Sequence, residues 1–132
     1  MQMTRRQREG VIILALKGRL VAGEESTALR DAVKELAASG PVHLILDLAE
    51  VDYIDSTGLG GLVICFTTVR KAGGSIKLLN LTRRNIELLV LTKLETVFEI
   101  FADEQDAVNS FFPGREVKKF DILAFVQSQN KA

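Results

Sequence analysis

The chain has 132 residues, 47% of them hydrophobic, and this length and composition are typical of one folded domain whose core needs no disulfide or metal. Its 17 Lys and Arg residues balance its 17 Asp and Glu residues, so no net charge attracts nucleic acid or an acidic membrane. The single Cys cannot form an internal disulfide, and we expect neither a signal peptide nor a membrane-spanning segment, which indicates a cytoplasmic protein.

The first third of the chain predicts two strands and a helix. Residues 1–9 alternate weakly and carry three Arg residues, which is typical of a solvated edge strand. A continuous apolar run over 11–16 predicts a buried strand that ends at Gly18. Apolar residues at helical spacing then predict an amphipathic helix over 24–38, which ends at the Ser-Gly-Pro sequence of 39–41.

The middle of the chain predicts a strand-helix-strand unit. A central strand over 42–47 leads through a bend rich in carboxylates to Ser56, which we expect to cap the next helix at its N-terminus. Asp55 is the alternative cap if the helix begins one residue earlier. Apolar residues recur at helical spacing until Gly73-Gly74 ends that helix. A strand over 75–79 follows, and because the crossover of such a unit is right-handed, its two strands should lie parallel.

Two further helices and a strand are predicted in the last third of the chain. Thr82 and Asp103 are both placed to cap helices, and residues 97–101 alternate between them as a half-buried strand. The order of elements therefore predicts an α/β domain with a mixed sheet and helices packed over it.

Residues 113–132 are interpreted as a C-terminal extension of a domain that covers 1–112. The extension is too apolar for a disordered tail, and it predicts a short helix over 120–126 docked on its own domain. Docking on a second copy or on a partner is the alternative. We expect a monomer or a weak homodimer.

Three glycines, Gly58, Gly60 and Gly61, stand in the first turns of the helix that follows Ser56. Because each Gly costs about 1 kcal/mol against Ala in a helix interior, helix stability does not explain them. One interpretation is close packing of this turn against the sheet. The other is a flat surface, almost free of side chains, on which another protein can lie close to the Ser56 hydroxyl.

The sequence offers no catalytic or metal-binding set. The one His, His43, lies at the start of a buried strand, where a structural role is favoured over that of a general base. A single Cys and a single His match no zinc spacing, and the glycine run lacks the Lys of a phosphate-binding loop. Magnesium binding by the acidic bend is disfavoured, because turn and cap roles also explain its carboxylates. These residues are Asp47, Glu50, Asp52 and Asp55. We therefore expect neither an enzyme nor a cofactor.

The segment Asp55-Ser56-Thr57-Gly58-Leu59-Gly60 resembles the phosphorylation segment of the STAS domain family, the fold of bacterial anti-sigma factor antagonists. The similarity runs from about residue 11 to about residue 112. It includes Leu16-Lys17-Gly18-Arg19-Leu20 before the first helix and residues 70–78 after the second. The resemblance implies a single STAS-like α/β domain, with a mixed, mostly parallel sheet of roughly four to five strands and about four helices packed over it.

In that family the hydroxyl directly after the Asp accepts phosphate, so the resemblance implies phosphorylation of Ser56, with Thr57 as the alternative acceptor. It also implies that the unphosphorylated chain binds an anti-sigma factor with Ser/Thr kinase activity and so releases a sigma factor for transcription. Phosphorylation would end this binding, and a PP2C-type phosphatase would restore it. The residues expected at the partner are Val21, Glu24, Asp55, Ser56, Thr57, Gly58, Leu59, Gly60 and Gly61.

One residue departs from the family pattern. Many antagonists carry an Asp after the Gly-x-Leu of the second strand, whereas Val21 follows Gly18-Arg19-Leu20 here. Glu24 is a carboxylate nearby in the sequence. A second hypothesis therefore stays open, in which the chain is a constitutive STAS scaffold, a subunit of a lipid transporter or of a signalling assembly that needs no phosphorylation.

Overall fold

A computed structural model describes residues 1–129 of the chain. In this part of the chain five strands form one sheet, and five α-helices and one 3-10 turn accompany it. The elements are β1 Gln2–Arg8, β2 Val11–Leu20, α1 Glu24–Ala37, β3 His43–Ile54, α2 Ser56–Lys71, β4 Ser75–Leu79, α3 Arg83–Leu91, the 3-10 turn Leu94–Thr96, β5 Ile100–Phe101, α4 Glu104–Asn109 and α5 Ile122–Gln129.

The sheet is mixed, and its strands lie in the order of the chain. β1 is antiparallel to β2, whereas β2, β3, β4 and β5 are parallel neighbours. This topology confirms the predicted α/β class and the parallel strand-helix-strand unit formed by β3, α2 and β4. Leu44, Ile45 and Leu46 are consecutive in β3 and all have 0% exposure, because both faces of this central strand are covered.

The two faces of the sheet have separate hydrophobic cores. The larger core lies under α1, α2 and α3 and contains Leu29, Leu62 and Leu89. The smaller core lies on the opposite face, where Ala107 and Val108 of α4 pack with the side chains that alternate out of the strands. Those strand residues are Val11, Ile13, Ile45, Leu79 and Phe101.

β2 and β3 are both longer than the sequence predicts. β2 continues through Gly18 to Leu20, and β3 continues through the acidic segment to Ile54. The predicted bend is therefore wrong over most of its length. Its residues form a strand because they pair with β2, and the register of this pairing shifts twice along the way. Buried apolar residues alternate irregularly with the carboxylates, since Leu48, Val51 and Ile54 lie inside while Glu50 and Asp52 lie outside.

The predicted strand over 97–101 is also wrong in extent. Ile100 and Phe101 pair with β4, but a 3-10 turn and a loop occupy the chain just before them. The two predicted caps are confirmed. The Thr82 hydroxyl oxygen accepts a hydrogen bond from the Asn85 N–H of α3 at 3.3 Å, and the Asp103 carboxylate accepts one from the Asp106 N–H of α4 at 3.0 Å.

The C-terminal segment returns to the sheet before it forms α5. The Phe120 N–H donates to the Ile100 carbonyl of β5 at 3.0 Å, and Phe120, Ile122 and Phe125 pack against the larger core. α5 begins two residues later than predicted, because the Asp121 carboxylate accepts a hydrogen bond from the Ala124 N–H at 2.9 Å and caps the helix there. Residues 130–132 of the predicted extension lie outside the described residues.

No helix within residues 1–129 combines the length and the apolar composition needed to cross a membrane.

Candidate functional site

The site lies where β2 and β3 end and α2 begins. Asp55, and not Ser56, is the N-cap of α2, and its Oδ1 accepts a hydrogen bond from the Gly58 N–H at 2.7 Å. Ser56, the first choice for the cap, is therefore wrong, and the alternative, Asp55, is confirmed. The second carboxylate oxygen, Asp55 Oδ2, accepts a hydrogen bond from the Ala22 N–H at 3.0 Å. The hydroxyl group of Ser56 would not place a second acceptor at this position. Asp55 thus fastens the loop after β2 to the start of α2.

Hydrogen bonds stabilise the charged form of Asp55. The N–H groups of Gly58 and Ala22 hold the pKa of this carboxyl below its ordinary value of 3.8, and the nearby Arg19 guanidinium adds to the effect. Asp55 is therefore ionised at neutral pH. Its own backbone N–H donates to the Leu20 carbonyl at 3.2 Å, which is a second link, after the bond from Ala22, between the end of β2 and the start of α2.

Ser56 and Thr57 are the first two residues of α2, and both are exposed. The side chain of Ser56 is therefore not covered by α5 or by any other described segment. Gly60 and Ile64 follow at intervals of four residues and are exposed too, with 48% exposure for Ile64. Residues at this spacing lie on one side of a helix. We call the surface formed by Ser56, Gly60 and Ile64 the Ser56 face.

The three glycines of α2 have different surroundings. A Cβ on Gly58 would lie 2.1 Å from the Leu20 carbonyl oxygen, and a Cβ on Gly61 would lie 2.7 Å from the Ser26 Oγ. Gly58 and Gly61 therefore allow α2 to pack closely against β2 and α1. Nothing lies within 4 Å of a Cβ on Gly60, which is exposed. Close packing therefore explains Gly58 and Gly61, whereas the interpretation as an open surface applies to Gly60.

The other residues expected at a partner divide by burial. Glu24 is exposed at the start of α1, and Val21 is half-buried in the loop before it. Leu59 is 8% exposed and belongs to the larger core, and Gly58 and Gly61 are buried as well. These three buried residues support the Ser56 face from below and do not form its surface.

A group that the sequence reasoning missed lies beside the site. Tyr53 is half-buried near the end of β3, and the guanidinium groups of Arg19 and Arg84 both lie over its ring. Arg19 belongs to β2 and Arg84 to α3. The one signal in the sequence was a Tyr among the acidic residues, and it did not indicate which cations would contact the ring.

The remaining candidates for chemistry lie elsewhere or are inert. His43 is exposed at the start of β3, where its ring stacks on Phe111 with 4.9 Å between centroids. Cys65 is 1% exposed, and burial raises the pKa of its thiol to about 12. Within residues 1–129, no three His, Cys, Asp or Glu side chains are grouped closely enough to hold a metal ion. A surface cleft of about 550 Å³, lined in part by Leu36, Ser39 and Pro41, lies at the far end of α1 from Ser56.

Known proteins resemble this chain in sequence and in structure. The family profile of the STAS domain matches residues 2–107. An anti-sigma-B factor antagonist of Bacillus subtilis (strain 168) is 40% identical over 92 residues, which are 67% of this chain and 84% of that protein. The anti-sigma-F factor antagonist RsfB of Mycobacterium tuberculosis is 32% identical over 111 residues, which are 80% of this chain and 85% of that protein.

A solved structure shares the fold. The crystal structure of an anti-sigma factor antagonist from Mycobacterium paratuberculosis superposes with a TM-score of 0.70 over 83% of this chain and 92% of that chain, at 22% identity. Its strands and helices therefore have the arrangement described above. Together with the family profile and the sequence relatives, this likeness shows that the chain belongs to the STAS domain family.

Proposed function

We propose that this protein is an anti-sigma factor antagonist, which binds an anti-sigma factor with Ser/Thr kinase activity through the Ser56 face and loses that binding when Ser56 is phosphorylated. A PP2C-type phosphatase would return it to the binding state. The observation that carries the proposal is the exposed hydroxyl of Ser56 in the first turn of α2, with the open surface of Gly60 one turn further on. The names of the sequence relatives support the choice of partner.

The position of Ser56 makes the folded domain tolerant of a phosphoryl group. Phosphorylation adds about −1.5 to −2 charge at neutral pH. At the N-terminus of a helix such a charge interacts favourably with the helix dipole, by about 0.3–1 kcal/mol. This gain is opposed by the ionised Asp55 next in sequence. Both effects act at an exposed position and are small beside the roughly 5–15 kcal/mol that stabilise a typical domain, so we expect phosphorylation to leave the fold intact.

The effect of phosphorylation is expected at the interface instead. Gly60 has no side chain and its surroundings are open, so a partner can approach the α2 backbone closely beside Ser56. A bulky dianion at the edge of that contact would separate the two surfaces. A loss of about 3–4 kcal/mol would weaken binding several-hundred-fold, since each 1.4 kcal/mol is a factor of ten.

The acceptor is tested by incubating the protein with each kinase-type anti-sigma factor encoded in the same genome, with ATP, and locating the phosphate by mass spectrometry. We expect wild type and Thr57→Ala to take up phosphate and Ser56→Ala to take up none. Normal phosphorylation of Ser56→Ala would show that the acceptor is a different residue.

The switch is tested by measuring binding of the same anti-sigma factor to wild type, Ser56→Ala and Ser56→Asp. We expect Ser56→Ala to bind and Ser56→Asp to bind at least roughly tenfold more weakly. Ser39→Asp is the matched control, because Ser39 is an exposed Ser just after the C-terminal end of α1, whereas α1 meets α2 at its N-terminal end, through Ser26. Equal binding of Ser56→Asp and wild type would favour the constitutive scaffold, in which Ser56 has no switching role.

A further inference from the structure

Two arginines from different elements contact one tyrosine beside the Ser56 face. The Cζ of Arg19 lies 5.0 Å from the centroid of the Tyr53 ring, and the Cζ of Arg84 lies 4.5 Å from it. Such distances are typical of cation–π contacts. We call these three residues the Arg-Tyr-Arg cluster.

The cluster is held by rigid parts of the fold. Arg19 and Tyr53 are register partners in the paired strands β2 and β3. The start of α3, which carries Arg84, is fixed to β3 by a hydrogen bond from the buried Asn85 Nδ2 to the Val51 carbonyl at 2.8 Å. The backbone at all three residues is therefore fixed, and the contacts with the Tyr53 ring orient the two guanidinium groups, which lowers the entropy lost when they bind a partner.

Within the described residues, neither guanidinium of the cluster forms an ion pair. Among the ion pairs of residues 1–129, none involves Arg19 or Arg84, although both are exposed. In contrast, Arg6 and Arg8 on β1 are both paired with Glu104. Two like charges on one ring repel each other, and each guanidinium has N–H donors that the ring contact leaves unused. The cluster is thus suited to binding an anion from outside the domain.

The cluster is continuous with the proposed phosphorylation site. Tyr53 precedes Asp55 by two residues, and the Leu20 carbonyl directly after Arg19 accepts the Asp55 N–H at 3.2 Å. The positive charge of Arg19 also reaches the Asp55 carboxylate, since it helps to lower the pKa of that group. A protein lying on the Ser56 face would therefore extend over the cluster.

We propose that the Arg-Tyr-Arg cluster is a second part of the partner surface, where Arg19 and Arg84 bind carboxylates of the anti-sigma factor. This inference rests on the function proposed above. Arg and Tyr are enriched in protein interfaces, and Arg binds carboxylates with two parallel hydrogen bonds. The zero net charge of the chain and the nearby Asp52 and Asp55 do not favour nucleic acid as the occupant.

Binding of partner carboxylates at the cluster should also depend on phosphorylation of Ser56. A phosphoryl group on Ser56 would repel the partner carboxylates that approach the cluster, and it would compete with them for Arg19. The weakening of binding by a negative charge at residue 56 should therefore be smaller when the cluster has lost its positive charge. Non-additivity of this kind is expected for residues that share one interaction.

The test compares binding of the anti-sigma factor to wild type, Arg84→Glu and Arg84→Lys in salt of about 0.1 M and about 1 M, between which the Debye length falls from about 10 Å to about 3 Å. Arg84→Glu should weaken binding on the order of tenfold at the lower salt, mainly through slower association. The loss should shrink at the higher salt, and Arg84→Lys should retain most of the affinity. The double variant that combines Ser56→Asp with Arg84→Glu should lose affinity by a smaller factor than the product of the factors lost by the two single variants.

Arg70→Glu is the matched control for this test. Arg70 is also an exposed Arg over an aromatic ring, with its Cζ 5.5 Å from the centroid of Phe66. It lies at the opposite end of α2, roughly 20 Å from Ser56 along the helix. We expect the affinity of Arg70→Glu for the anti-sigma factor to stay within about twofold of wild type. Urea unfolding of each variant identifies any general loss of stability.

Three results would overturn the inference. If Arg84→Glu binds as wild type does at both salt concentrations while Ser56→Asp binds weakly, the cluster is not part of the partner surface and the proposed function stands. If wild type binds none of the kinase-type anti-sigma factors, both proposals fail together. If Arg84→Glu leaves protein binding unchanged but abolishes binding of a fluorescent DNA or RNA oligonucleotide, the occupant is nucleic acid.

Discussion

The contrast between Gly58 and Gly60 gives the sharpest test of how α2 is built. Gly58→Ala would place a Cβ 2.1 Å from the Leu20 carbonyl oxygen, a backbone atom that cannot rotate away. The start of α2 and the end of β2 must then move apart by roughly 1 Å to restore an ordinary contact. That movement would break the hydrogen bonds that Asp55 makes to Leu20 and Ala22.

These contributions give the expected magnitude for Gly58→Ala. Overpacking costs about 1–3 kcal/mol. Two lost hydrogen bonds cost about 1 kcal/mol each. The better helix propensity of Ala returns about 1 kcal/mol. The free energy of unfolding should therefore fall by about 2–4 kcal/mol, and Tm should fall by roughly 10 °C.

Gly60→Ala is the matched comparison, because no atom lies within 4 Å of the added Cβ. It should raise the free energy of unfolding by about 0.5–1 kcal/mol through helix propensity alone. Urea unfolding measures both variants, with an unchanged m-value as the check that the folded and unfolded states remain comparable. Equal stability of Gly58→Ala and wild type, or a destabilised Gly60→Ala, would refute the packing argument.

Three further predictions follow from other residues. Asp55→Asn loses the acceptor for the Ala22 N–H, so it should be less stable than wild type at neutral pH. Because folding lowers the Asp55 pKa below 3.8, this difference should be present above about pH 4 and disappear as the pH falls through the folded-state pKa, as urea unfolding across pH would show. Cys65, with its pKa raised to about 12, should resist iodoacetamide at about pH 8 until urea unfolds the chain; rapid labelling of the native protein would contradict this. Asn85→Ala leaves the Val51 carbonyl without its side-chain donor and should lower the free energy of unfolding by about 1–3 kcal/mol, whereas an unchanged urea midpoint would contradict that role.

Features that depend on neighbouring residues in the sequence were predicted well. Thr82 and Asp103 cap their helices as expected, because an N-cap bonds an N–H group only three residues away. The parallel unit of β3, α2 and β4 was also predictable. Its elements follow from the hydrophobic periodicity of the local sequence, and the crossover between such strands is right-handed as a rule. The exposed position of Ser56 follows from the same local pattern once α2 is placed.

Features that depend on distant residues were missed. Asp55 and Ser56 are both good N-cap residues, and the hydrogen bond to Ala22 in another loop favours Asp55. The acidic segment 47–54 has the composition of a bend, yet pairing with β2 makes it a strand. The contacts of Arg19 and Arg84 with Tyr53 join three separate elements, and no sequence spacing encodes them.

The hydrogen bond from Phe120 to Ile100 has a consequence for how copies of this domain meet. β5 is an edge strand, and an unpaired edge strand can accept a strand from a second molecule. The C-terminal segment occupies that position on β5, while arginines line the other margin of the sheet on β1. Extension of the sheet by a second molecule is therefore disfavoured at both margins. Contacts with other proteins are left to the helices and to side chains near the ends of β2 and β3.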